Sequence, residues 1–140
     1  MDNGVIVLQS LVAGLPVLLL HFTVAVLLWL VSLAIYYRLT PHDEMKLIRE
    51  GNIATAISSG GVAMGLALPL AFCLAGSISV WDIVIWSIPI LLMQLATFFL
   101  LGRYFRDLSH RLENNEIGIA IYLLMVRMGS SFLVTAAIAS

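Results

Sequence analysis

Four mostly apolar runs, at residues 11–37, 53–75, 83–101 and 117–139, make up most of this 140-residue chain. Each is long enough to cross ~30 Å of hydrocarbon at a helical rise of ~1.5 Å per residue. The whole chain is 61% hydrophobic and 11% charged, with a mean hydropathy of +1.06, which is too apolar for an ordinary water-soluble domain. The expected solvent is the lipid bilayer, and almost no residues remain for a soluble domain. The first run is expected to be a retained span. Residues 1–10 carry no Lys or Arg, the apolar stretch is too long for a signal peptide, and no A-x-A-like cleavage site follows it.

The formal net charge is −1, but the placement of the basic residues is what carries information. Arg38, Lys46 and Arg49 fall in the first connection, and Arg103, Arg106 and Arg111 in the third. The N-terminus, the 76–82 connection and the C-terminus have none. The positive-inside bias therefore predicts that both charged connections are cytoplasmic and both termini periplasmic. Each charged connection balances three basic against three acidic residues. This makes nucleic acid and strongly anionic membranes poor partners. Cys73 is the only cysteine, so an internal disulfide and a cysteine-based metal site are excluded.

The spans form two hairpins of the same orientation. Sliding the chain by 64 positions aligns residues 43–57 with residues 107–121, with Asp, Ile, Ala and Ile coinciding at 43/107, 53/117, 56/120 and 57/121. The expected fold is all-α, with four transmembrane helices in two tandem two-helix repeats, residues 1–75 and 76–140. Repeats of equal topology are related by an axis along the membrane normal.

The first charged connection, TPHDEMKLIREGN at residues 40–52, reads as a turn with a short interfacial helix. Thr40 is expected as its N-cap, Pro41 as its first residue, and Asp43 three residues after the cap. Met45 and Ile48 can face the bilayer surface, while Lys46 can pair with Asp43 or Glu50. Gly51 permits the break before the second span. As a functional alternative, His42, Asp43, Glu44, Lys46 and Arg49 form a surface for a cytoplasmic partner. The second span opens with Asn52, Thr55 and Ser59 on one face, followed by the G-x-x-x-G of Gly61 and Gly65, and Pro69 is placed to bend it. Such residues serve interhelical packing and hydrogen bonding, or they line a polar path.

The segment TPHDEMKLIREGNIATAISSGGVAMGLALPLA, with the later spacing of Val80, Asp82, Trp86 and Gln94, resembles the family carrying domain of unknown function 350. The resemblance covers about residues 20–125. It implies two tandem two-helix domains, inner-membrane residence and no established activity. It also implies a link to envelope stress, through an association with phage-shock-type proteins. The second repeat departs from the pattern, with Asn115-Glu116-Ile117-Gly118 in place of an N-x-A step.

Arg127 is the most informative single residue. It lies about ten positions from either end of the last span, its charge cannot be shed, and no acid occurs mid-span to neutralise it. Gln94, His21, Ser130, Ser131, an anion or a neighbouring subunit are its candidate partners, and the plain alternative is an arginine that snorkels. His21 titrates near neutrality and Gln94 both donates and accepts, so these two, with Arg127 and the Asn52, Thr55, Ser59 stripe, form the candidate intramembrane polar site. His42 and His110 lack a second ligand at metal-binding spacing, and no cofactor is expected. No nucleotide loop, nucleophile elbow or H-E-x-x-H occurs.

Three function classes follow. The first is a non-enzymatic, homo-oligomeric component of envelope maintenance or stress response, with a cytoplasmic stress-response protein as its partner. The second is a small oligomeric channel or transporter, selective for anions if Arg127 faces a lumen. An intramembrane enzyme is the third and the least supported, because no base, nucleophile and metal set is present.

Overall fold

A computed structural model describes residues 2–40, 43–76, 79–104 and 107–139. These form α1 (Asn3–Leu39), α2 (Glu44–Arg49), α3 (Ile53–Gly76), α4 (Val80–Tyr104), α5 (Leu108–Glu113) and α6 (Ile117–Ala139). Among the described residues there is no strand. α1, α3, α4 and α6 are long and apolar enough to span a membrane, while α2 and α5 are short and share one end of the bundle. That end is called the short-helix end below.

The long helices run alternately down and up, so α3 and α6 run in the same direction. They form the most extensive contact of the fold, with α3 at the centre, also touching α1 and α4. Small residues allow this. A Cβ at Gly61 would meet Leu124 Cδ1 at 2.8 Å and the Leu124 Cα at 3.2 Å, and a Cβ at Gly65 would meet the Phe98 ring at 3.0 Å. The G-x-x-x-G thus seats α3 against both α6 and α4, the close approach that small residues give to helices in lipid. α3 continues through the buried Pro69 to Gly76.

The two short connections correspond at the offset seen in the sequence. Glu44–Arg49 and Leu108–Glu113 have equal length, and Ile53 and Ile117 each begin a span. Gly51 (φ 89) and Asn115 (φ 60) both take left-handed backbone. Gly51 N donates to Ile48 O and Asn52 N to Leu47 O, and equivalently Asn115 N donates to Leu112 O and Glu116 N to Arg111 O. These are the paired bonds of a Schellman-type helix end. The starts of the short helices differ. Asp43 accepts from Lys46 N as an N-cap, while Asp107 (φ 56) is itself left-handed and makes no side-chain cap.

Thr40 is a correction to the sequence reading. It does not cap α2 but closes α1: its N–H and its hydroxyl both donate to Tyr36 O, at 3.1 and 2.7 Å. The cap of α2 is Asp43, three residues further on, because α1 runs to Leu39 and its open carbonyls claim Thr40 first. Pro41 lies outside the described residues.

α1 is longer than its apolar run requires, with 37 residues against 23 to 25 in the other spans. Its second half does the packing. Ala25 is buried, Phe22, Val26 and Trp29 line a shallow groove with Ala67, Leu70, Ala71 and Leu74 of α3, and Trp29 Nε1 donates to Ala63 O at 2.8 Å. Residues 3–20 are exposed along their whole length. This arm extends about 27 Å beyond the packed part at ~1.5 Å per residue.

Candidate buried-arginine site

α6 carries Arg127 near its middle, and the side chain is only 2% exposed. Helical side chains lean toward their own N-terminus, so the guanidinium is carried toward Ile117 and the short-helix end. Its partners lie there. Nη1 donates to Ser58 O at 2.8 Å and Ser58 Oγ at 2.6 Å, and Nη2 donates to Tyr36 Oη at 3.2 Å. Ser58 is five residues into α3, about 7.5 Å from its start, and Tyr36 is three residues from the end of α1. The Cα is therefore mid-span, whereas the charge sits about one and a half turns from the end. The arginine snorkels inside the protein, not through lipid.

Aromatic rings complete the enclosure. The guanidinium carbon lies 5.5 Å from the Phe98 ring centroid and 5.9 Å from that of Tyr36, within the range where a ring face attracts a cation. Tyr36 and Phe98 meet edge to face at 6.1 Å, fixing both rings. Glu44 is also 2% exposed. Glu44 is thus part of the wall between α2 and the bundle, unlike the exposed Lys46 and Arg49. Asp43 is occupied as a cap. His42 lies outside the described residues.

The remaining polar residues tie helices together and do not gather round Arg127. Gln94 Nε2 and Ser131 Oγ both donate to Gly65 O, at 2.8 and 2.6 Å, linking α4 and α6 to α3. Asn52 donates to Leu112 O and Glu113 O and accepts from Thr55 N, so it joins α3 to α5 while capping α3. Thr55 Oγ1 donates to Leu112 O, and Ser59 Oγ pairs with Tyr37 Oη. His21 is bonded to Val17 O within α1. Ser130 bonds the Arg127 carbonyl, not its guanidinium. The partners that the sequence reading missed are Ser58 and Tyr36. Ser58 lies one turn beyond Thr55, on the stripe already singled out. Tyr36 offered no signal of its own, because a tyrosine at a span end is commonly an interfacial anchor.

Apolar packing closes the bundle on the side of these bonds away from the short-helix end. Val62, Leu66, Leu95 and Phe98 fill the middle with Tyr36, and Cys73, Ile90 and Val134 fill the far end. At the short-helix end, in contrast, a cavity of about 480 Å³ opens between α1, α4 and α5, and Arg127 forms part of its wall. Among the described residues no group of three His, Cys, Asp or Glu side chains could hold a metal ion.

This fold and this arginine belong to a chain that matches the Domain of Unknown Function (DUF350) family over residues 10–138. The chain is a member of that family. It is 27% identical over 103 residues to the UPF0719 inner membrane protein YjfL of Escherichia coli, covering 74% of this chain and 78% of that protein. It is also 25% identical over 121 residues to the UPF0719 transmembrane protein YshE of Bacillus subtilis, covering 84% and 90%. No solved structure matches it. Within this DUF350 chain the family-like segment of residues 40–71 supplies the α2 cap, the buried Glu44, the Asn52 tie and the Gly61/Gly65 seat. Arg127 reaches into that segment from the other half of the chain through Ser58.

Proposed function

We propose that this DUF350 protein is a non-enzymatic, non-conducting component of the bacterial inner membrane that serves envelope maintenance or stress response. Its short-helix end is cytoplasmic in this reading, and the exposed Lys46 and Arg49 of α2 contact a soluble partner there. One observation carries the proposal: among the described residues of the four spans, the one buried charged side chain, that of Arg127, is held by Ser58 and Tyr36, with apolar packing beyond it. A conducting path needs polar groups in series, and here they are paired with backbone carbonyls between adjacent helices. The recurrence of backbone features at an offset of 64 positions supports a duplication as the origin of the two halves. Homo-oligomerisation belongs to the same reading, since the apolar arm of α1 presents a surface that a second copy can cover.

The test is reconstitution of the full chain in vesicles, with chloride and phosphate flux measured over a range of membrane potentials. No protein-dependent flux is expected. Steady flux from the intact protein would overturn the proposal in favour of an oligomeric anion channel. In cells, a reporter active only in the cytoplasm should be silent after Ser140. Lys46→Glu with Arg49→Glu should insert normally yet fail to restore envelope-stress tolerance to a strain lacking the protein.

A further inference from the structure

The cavity at the short-helix end is not used by the packing of the bundle, and its wall has an unusual composition for a site at membrane level. Its described residues include two permanent cations from different helices, Arg103 of α4 and Arg127 of α6, with His110 of α5 and the hydroxyl residues Thr40 and Ser109. Asp107 is the acid in that wall; the buried Glu44 is not part of it. Arg127 is almost fully buried, and its Nε finds no hydrogen-bond partner among the described residues. A charged donor buried without an acceptor is costly, and an oxyanion is the group that best satisfies guanidinium donors.

The rest of the wall is apolar and aromatic, and two of its residues, Leu39 and Phe99, are also exposed on the outer surface of the bundle. The cavity therefore lies beside surface that faces lipid, at the end of the spans, where headgroups lie. At about 480 Å³ it has the size of a small-molecule site. We infer that this cavity binds a phosphate-type oxyanion, the chemistry shared by an anionic lipid headgroup and a free phosphorylated solute. Arg103 and Arg127 supply the charge, His110 and the Ser109 hydroxyl supply further donors, and the apolar rim accommodates a chain attached to the headgroup. This inference does not depend on whether the protein conducts or on what its soluble partner is.

The experiment uses the full chain purified in a neutral detergent. Retention of phosphatidylglycerol against phosphatidylcholine is followed by native mass spectrometry, and thermal unfolding is followed with each lipid and with inorganic phosphate. The wild type should retain phosphatidylglycerol in preference, and Arg103→Gln should weaken that retention about tenfold, the effect of losing one charge-assisted bond. Arg103 is exposed, so the variant should fold. Gly102→Leu should fill the cavity without removing a charge. A Cβ at Gly102 meets only Leu108 Cδ2, at 3.9 Å, so the backbone tolerates it while the longer side chain takes the space. Arg38→Gln, an exposed basic residue outside the cavity wall, should leave lipid retention unchanged. If millimolar phosphate displaces the lipid and raises the unfolding temperature, the source is a free solute. If only phosphatidylglycerol does so, the source is a headgroup. Absence of binding by both probes, or a lipid preference that survives in both Arg103→Gln and Gly102→Leu, would overturn the inference.

Discussion

The Arg127 node makes a graded prediction, because its three hydrogen bonds are unequal. Tyr36→Phe removes the 3.2 Å bond from Nη2 but leaves the ring that faces the guanidinium, so it should cost about 1.5 kcal/mol, the low end for a charge-assisted bond. Ser58→Ala removes the 2.6 Å hydroxyl acceptor while the carbonyl at 2.8 Å remains, for a loss of about 2 kcal/mol. In the double variant the guanidinium keeps one acceptor, so the combined loss should exceed the sum by about 1 kcal/mol, as expected for residues sharing one partner. Arg127→Met behaves differently. It removes the buried charge together with its bonds and keeps a long flexible stem, so stability should stay within about 1 kcal/mol of wild type. The assay is thermal unfolding in one detergent, where 1 kcal/mol corresponds to a shift of about 4 °C for a chain of this size. Silent single variants would refute the reasoning. So would an Arg127→Met variant less stable than the Ser58→Ala, Tyr36→Phe pair, since the charge would then contribute stability beyond its visible bonds.

Adjacent glycines of α3 should respond with opposite sign. Gly61→Ala drives a Cβ against the Leu124 backbone and should cost about 1–3 kcal/mol, while Gly60→Ala meets nothing within 4 Å and should gain up to about 1 kcal/mol; both are read by unfolding temperature. Thr40→Ser should be nearly silent and Thr40→Val should lose about 1 kcal/mol, because the hydroxyl bond to Tyr36 O is what the residue contributes. Asn52→Ala gives up two bonds to the end of α5 and the cap on Thr55 N, so about 2 kcal/mol should be lost and amide exchange at Thr55 should accelerate.

The four spans were legible because lipid leaves a chain little choice: length and hydropathy alone placed α3, α4 and α6 to within about three residues at each end. Gly51 was legible as a break because a left-handed residue is needed there. Thr40 was misread for a physical reason. The same hydroxyl can serve the start of one helix or the end of another, and only the extent of α1 decides which. The depth of Arg127 was overestimated because position in the sequence locates a Cα, whereas a long side chain leaning toward its helix N-terminus delivers its charge well away from it. Its bond to Ser58 joins residues far apart in the chain, and no local pattern announces such a pair. Glu44 was read as surface because it stands among charged neighbours on a short helix; whether one position of that helix faces inward depends on where α2 docks against α3.

The length of α1 follows from none of these rules and constrains the molecule in its own way. A straight helix of 37 residues is about 55 Å long, and fitting it within ~30 Å of hydrocarbon by tilt alone would need nearly 60°, beyond the tilts that spans adopt. The other three spans, of 23 to 25 residues, fit within the range of tilts that spans adopt and are bound to the second half of α1, so the helix cannot tilt by itself. Length must therefore be absorbed in the exposed arm. Pro16 stands inside the exposed arm, a few residues before the packed half begins, where its missing amide N–H removes one hydrogen bond of the helix and lowers the cost of a bend. The residues on the far side of Pro16 include Val5, Ile6, Val7, Leu8, Leu11 and Val12, all exposed and distributed around the helix, so no orientation of the arm satisfies water on any face. Whatever covers the arm, lipid after a bend or a second copy of the chain, sets how deeply the packed half of α1 sits in the membrane. It thereby sets the height of Tyr36, the residue that joins α1 to Arg127.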